Sequence, residues 1–117
     1  MTVHDDLPFL LHILEAIVDI RASIKGCTKA FFVKNRDVRD ANIRRIEIIG
    51  EAVKNISQDI KKKYPSVEWK KVAGARDIMI HHYFGVDLDI VWEILTKDVP
   101  KIERNIKDIV LKIKKRG

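Results

Sequence analysis

Ile43-Arg44-Arg45-Ile46-Glu47-Ile48-Ile49-Gly50-Glu51-Ala52-Val53-Lys54-Asn55-Ile56 is the stretch whose reading decides the fold class. Ile43, Ile46, Ile49, Val53 and Ile56 recur three and four apart, the spacing that lines one face of an α-helix. A long helix ending near Ser57 follows. Glu47 and Glu51 lie one turn apart on it, and a carboxylate pair at that spacing can do acid–base work. Pairing with basic groups such as Arg44 or Arg76 is the stronger expectation, with Gly50 between them letting a central helix approach closely. On that reading Glu47 and Glu51 support the arginine.

The same periodicity extends to either side. Leu7, Leu10, Leu11, Leu14, Ile17, Val18 and Arg21 trace a first helix that stops at Lys25-Gly26, and the piece around Phe31-Phe32-Val33 is less regular. Lys61-Lys62-Lys63-Tyr64-Pro65 breaks the pattern, because proline biases its predecessor away from helix. Ser66 then caps a third long helix beginning Val67-Glu68-Trp69. Phe84-Gly85-Val86 gives a turn, Asp87 caps the next helix, and Asp98-Val99-Pro100 marks a kink or a fresh start. Val99, Ile102, Ile106, Ile109 and Ile113 form the seam of the last helix. Neither strand-like alternation nor an internal repeat interrupts this series. The chain therefore reads as all-α, an antiparallel bundle of about five helices in a single domain over residues 1–117.

Composition agrees and narrows the function classes. Hydrophobic residues at 46% and charged residues at 34%, with three prolines and five glycines, describe a compact helical protein and argue against a disordered or repeat-built one. The formal charge of +6 favours polyanionic partners such as RNA, DNA or a membrane surface, although solvated helix faces account for much of it. The lone Cys27 excludes an intrachain disulfide and fits a reducing compartment. Met1-Thr2-Val3-His4-Asp5-Asp6 lacks the basic start and apolar run of a signal peptide, and no stretch reaches the ~20 apolar residues of a membrane span. A cytoplasmic protein without a membrane partner is expected.

Chemistry concentrates in Arg76-Asp77-Ile78-Met79-Ile80-His81-His82-Tyr83. Arginine beside histidine lets one group hold a phosphate while the other moves a proton. At ~100° per residue Val72, Ala75, Met79 and Tyr83 share a stripe with Arg76, whereas Ile78 and Ile80 point to other sides. That distribution calls for cover on more than one flank, which a second copy of the chain would supply. Arg76 and His81 stand about 140° apart around the helix and do not face each other as an i,i+4 pair does. Two symmetry-related helices could combine them in one cleft. Asp77 and His81 are four apart, a spacing that lets a carboxylate orient an imidazole. The adjacent His81 and His82 cannot both face one metal, and His4 and His12 have no ligand spacing. Gly26, Gly50, Gly74, Gly85 and Gly117 are isolated, so no phosphate-cradling loop exists and no cofactor is expected.

Arg76-x4-His81-x-Tyr83, followed by Phe84-Gly85-Val86-Asp87, resembles the Arg-x4-His-x-Tyr motif of HepT-like toxins in the HEPN superfamily. Arg45-Ile46-Glu47-Ile48-Ile49-Gly50-Glu51-Ala52, Lys63-Tyr64-Pro65, Trp69 and Ile90-Val91-Trp92 extend the likeness over nearly the whole chain. The resemblance implies an all-α homodimer with paired motifs in a cleft. It also implies a metal-independent endoribonuclease, the toxin of a HEPN/MNT (type VII) toxin–antitoxin system. Arg76 would bind the scissile phosphate, His81 would serve as general acid or base, and Asp77 would position them. The RNA 2′-hydroxyl would attack the adjacent phosphorus. Tyr83 would be the acceptor to which an MntA-like nucleotidyltransferase antitoxin transfers AMP. Lys61, Lys62, Lys63, Lys70 and Lys71 are candidates to hold the RNA backbone, with a solvated lysine face as the plain alternative. A noncatalytic RNA-binding or nucleotidyltransferase-accessory subunit is the rival function, and a purely structural dimerisation bundle is a third.

Overall fold

The periodicity around Ile46 materialises as helix α3, Arg36–Lys54, the element on which the rest of the fold is assembled. A computed structural model describes residues 3–81 and 87–116, with every side chain among them except those of Val3, His4, Ile78, Ile80, His81 and Arg116. A short 3₁₀ turn, Val3–Asp6, leads into α1, Leu7–Ile24. The other helices are α2 (Lys29–Lys34), α4 (Gln58–Lys63), α5 (Trp69–His81), α6 (Leu88–Glu93) and α7 (Val99–Arg116). Among the described residues there is no strand, and the all-α bundle is as expected.

The predicted stripes are the core. Leu10, Ile13, Ile17 and Ile20 of α1, Ile46, Ile49 and Val53 of α3, and Ile106, Ile109 and Ile113 of α7 are all buried. Each contributes on the order of 2 kcal/mol by leaving water. α3 packs against α1 on one side and α5 on the other, while α7 lies along α1. Two polar links fix the direction of α1 against α3. Asn42, near the start of α3, donates to the Ser23 hydroxyl at the end of α1 (3.0 Å), and Asp6, at the start of α1, reaches Ser57 beyond the end of α3. The two helices therefore run antiparallel. Arg21 near the end of α1 meets Glu103 near the start of α7 (2.9 Å), which sets the same relation there.

Several boundaries differ from the periodic reading, two of them because a short polar side chain acts as a cap. Thr28 accepts from the Phe31 amide (3.1 Å) and starts α2 in the piece that reads as irregular. That helix drives Phe32 into the core against Trp92, with ring centroids 5.2 Å apart. Ser57 accepts from the Ile60 amide (3.3 Å) and begins α4, so the lysine run is itself helical and the break falls later, after Lys63. The intervening turn is tied by the Trp69 indole donating to the Tyr64 carbonyl (3.0 Å), and α5 starts at Trp69 rather than at Val67. At Gly26 the backbone takes φ +75°, a left-handed conformation that glycine adopts without a Cβ penalty, closing α1 at the expected place. Asp87 caps α6 through the Asp89 amide (2.9 Å), also as expected. Pro100, which has no N–H to donate, sits in the first turn of α7. Ahead of it Ile94–Asp98 widens into a π-helical turn in which the Val99 amide bonds back to the Ile94 carbonyl.

Asp6 is fully buried, yet its two oxygens accept from the Ser57 amide (2.7 Å) and hydroxyl (2.6 Å). These charge-assisted bonds join the beginning of the chain to the cap of α4. Asp6→Ala removes both bonds and leaves two partly buried Ser57 donors without their acceptor, so unfolding in denaturant should show a loss of about 1–3 kcal/mol. Asp6→Asn, which keeps one acceptor, should recover part of that loss. Among the described residues no helix is long and apolar enough to cross a membrane.

Candidate functional site

The close approach of α5 to α3 at Gly50 places the arginine. A Cβ built on Gly50 would stand 2.5 Å from the Arg76 Cβ and 3.3 Å from both the Arg76 amide nitrogen and the Val72 carbonyl. No larger residue fits without pushing the helices apart. Val72 and Met79, which flank Arg76 along α5, are buried in the core.

The head group is held by charge. Arg76 Nε lies 2.8 Å from Glu51 Oε2, and Nη1 is 3.6 Å from Asp77 Oδ1. Asp77 in turn accepts from Lys54 Nζ (3.0 Å). Carboxylates and cations thus alternate from Glu51 through Arg76 and Asp77 to Lys54. The short contact is at Nε, the inner nitrogen of the guanidinium. The arginine side chain is 30% exposed, and the planar fork beyond Nε is the part of it suited to an oxyanion. Glu47 pairs instead with Arg44, at 3.1 Å. The sequence pointed to both kinds of partner.

His81 is a helical residue of α5 and the last one described there. Its side chain, and with it the anticipated contact to Asp77, lies outside the described residues, as do Tyr83 and the Phe84-Gly85-Val86 turn. Among the described residues no group of three or more histidine, cysteine or acidic side chains is arranged to hold a metal ion.

The lysine candidates separate into two groups. Lys61, Lys62, Lys70 and Lys71 line one hollow of about 640 Å³, together with Pro65 and Trp69. Lys63 faces away, its ammonium 5.9 Å from the centre of the Tyr64 ring. Lys71 is also 3.8 Å from Asp98. Six residues of helix rise separate Lys70 from Arg76, about 9 Å along the axis. Glu68 lines the same hollow, and its hydrogen bond from Lys101 (2.9 Å) holds its carboxyl below the usual carboxylate range. That contact stabilises the fold above the usual carboxylate pKa and is lost as pH falls through the lowered one.

A second hollow, about 420 Å³, has Arg76 at its edge. Its floor is the α3 stripe containing Arg44, Glu47, Glu51 and Asn55, and Phe9 and His12 of α1 line it as well. Sequence reasoning set His12 aside because it lacked metal-ligand spacing. The signal was the i, i+3, i+7, i+11 spacing of Arg44, Glu47, Glu51 and Asn55, which puts four polar groups on one face of α3.

Comparison with known proteins adds the family. Residues 13–109 match the family model described as ribonuclease HepT-like. A protein of Caldanaerobacter subterraneus subsp. tengcongensis, named as a candidate RNase, is 42% identical over 92% of this chain and 96% of its own length. A candidate RNase of Methanocaldococcus jannaschii is 41% identical over 92% of this chain and 98% of its own. The "Probable ribonuclease HepT" of Thermococcus cleftensis is 38% identical over 81% and 86%. No solved structure matches the chain significantly.

Proposed function

We propose, from the premise that the chain belongs to the HepT-like ribonuclease family, that it is a metal-independent endoribonuclease and the toxin of a HEPN/MNT (type VII) pair. The observation that carries this reading is Arg76 itself. Its guanidinium is gripped at Nε by Glu51 and half-sheltered, on the same helix as His81. A cation fixed in that way is organised before substrate arrives, which is what stabilising charge on a phosphorus centre requires.

In the proposed reaction the 2′-oxygen of a ribose attacks the adjacent phosphorus and the bond from phosphorus to the 5′-oxygen breaks. A base removes the 2′-hydroxyl proton and an acid delivers a proton to the departing oxygen, leaving a 2′,3′-cyclic phosphate and a 5′-hydroxyl. Arg76 binds the non-bridging oxygens, His81 moves a proton, and Asp77 positions the pair. Lys61 and Lys62 of α4, with Lys70 and Lys71 of α5, hold the RNA backbone, with affinity falling as salt rises.

The site is completed by a second copy of the chain. Supporting this, a groove of about 310 Å³ lies where Val72 and Ala75 of α5 meet Ile90 and Ile102, and it leaves Ile90 47% exposed. Tyr83 accepts AMP from an MntA-like nucleotidyltransferase, and the added phosphodiester charge competes with RNA for the arginine and repels it. The rival reading, a noncatalytic RNA-binding or nucleotidyltransferase-accessory subunit, predicts RNA retention without cleavage.

The test is an RNA oligonucleotide carrying one cut site, compared with the same strand bearing a 2′-deoxy sugar on the 5′ side of that site. The all-ribose strand should be cut to a cyclic-phosphate end and the substituted strand should survive there. Equal cutting of both strands would sink the 2′-hydroxyl mechanism.

A further inference from the structure

We infer that the hollow between α1 and α3 beside Arg76 is a nucleobase subsite that favours guanine, with its N–H donor edge, and disfavours uracil. This rests on the ribonuclease reading and assigns the base next to the phosphate that Arg76 binds.

Charge selects the kind of group the hollow accepts. Its two arginines are each already matched by a carboxylate, Arg44 with Glu47 at 3.1 Å and Arg76 with Glu51 at 2.8 Å. With both pairs formed, the floor carries no surplus positive charge to recruit a second phosphate. It suits a neutral, flat, hydrogen-bonding group. At about 420 Å³ the space falls in the range of small-ligand sites. Phe9, partly buried against the core, and the exposed imidazole of His12 supply planar surfaces on which a base can stack.

Hydrogen bonding then selects among bases. The close contact of each ion pair falls on Oε2 of its glutamate, and each carboxylate has a second oxygen, Oε1, that can accept as well. Asn55 donates from its amide nitrogen to the Glu51 carbonyl (3.0 Å), which leaves its Oδ1 as a third acceptor. An acceptor-rich floor favours a base edge that donates. Guanine offers adjacent N1–H and N2–H groups, whereas uracil offers a single N3–H flanked by two carbonyl oxygens that carboxylates repel. Glu47, whose side chain is only 17% exposed, is the acceptor least compensated by water and so the one whose pairing matters most.

Binding of guanosine 3′-monophosphate and uridine 3′-monophosphate, measured by calorimetry on the full chain, tests this without requiring turnover. The expected result is at least a tenfold preference for the guanosine nucleotide, reduced to threefold or less in Glu47→Gln. His12→Ala, an exposed position that does not endanger folding, should weaken both nucleotides. Equal affinities in the parent protein, or a preference that Glu47→Gln leaves intact, would overturn the assignment. Selective binding by a protein that cuts no RNA would support the subsite while sinking the ribonuclease reading. Cleavage at all four bases alike, with equal nucleotide affinities, would do the reverse.

Discussion

Replacing Arg76 with alanine should lower the rate of RNA cleavage by roughly 10²–10³-fold or more, the loss measured when a single preorganised oxyanion donor is removed. The fold should survive. Arg76 is partly exposed and its partner Glu51 is 55% exposed, so the carboxylate left behind is reached by water and costs little. Melting temperatures of the two proteins should agree within a few degrees while initial rates diverge. Lysine should not rescue the activity. Glu51 meets the guanidinium at Nε, and a lysine with one nitrogen cannot both pair with Glu51 and present a planar fork to a phosphate. Cleavage within tenfold of the parent in Arg76→Lys would mean that the arginine acts as a charge alone.

The second large effect is on the fold. Gly50→Val should destabilise the protein by about 2–4 kcal/mol and abolish cleavage with it, because its Cβ would fall 2.5 Å from the Arg76 Cβ. The obstructing atom is the root of a side chain, so relief requires α3 and α5 to separate and carries Arg76 away from Glu51. A shift of this size should appear as a fall of roughly 10 °C in thermal unfolding. Gly74 is the control. A Cβ there meets nothing within 4 Å, and alanine in a helix interior lowers the entropic cost of ordering glycine, so Gly74→Ala should be neutral or stabilising by up to about 1 kcal/mol. Equal melting points for the Gly50 and Gly74 variants would show that the α3–α5 contact is looser than described.

How much of this was legible from residues alone depended on what kind of signal each part emits. α1, α3 and α7 are long and their buried faces are isoleucine-rich, so periodicity located them and their core positions. Glu51 and Gly50 were found because one helical turn and one missing Cβ are readable in sequence. α2 and α4 were not, since six residues are too few to establish a period. What makes them helices is a single side-chain oxygen at Thr28 and at Ser57. The same limit displaced the start of α5, where the Trp69 indole rather than Ser66 organises the turn. Among the lysines, sequence proximity grouped all five, but helix geometry sends Lys63 to the Tyr64 ring and the others to a common hollow. The hollow with His12 and Asn55 was missed for a different reason. It forms only when α1 and α3 are laid side by side, and a polar helix face gives no sign in sequence of whether water or another helix covers it.

The most direct test of the ribonuclease account is incubation of mixed RNA with the purified protein, free of any antitoxin, in excess EDTA, beside its His81→Ala variant. The account predicts cleavage by the parent that is undiminished by the chelator and lost in the variant. Equal cleavage by both proteins, or cleavage by the parent that stops in EDTA and returns with added divalent metal, would contradict it.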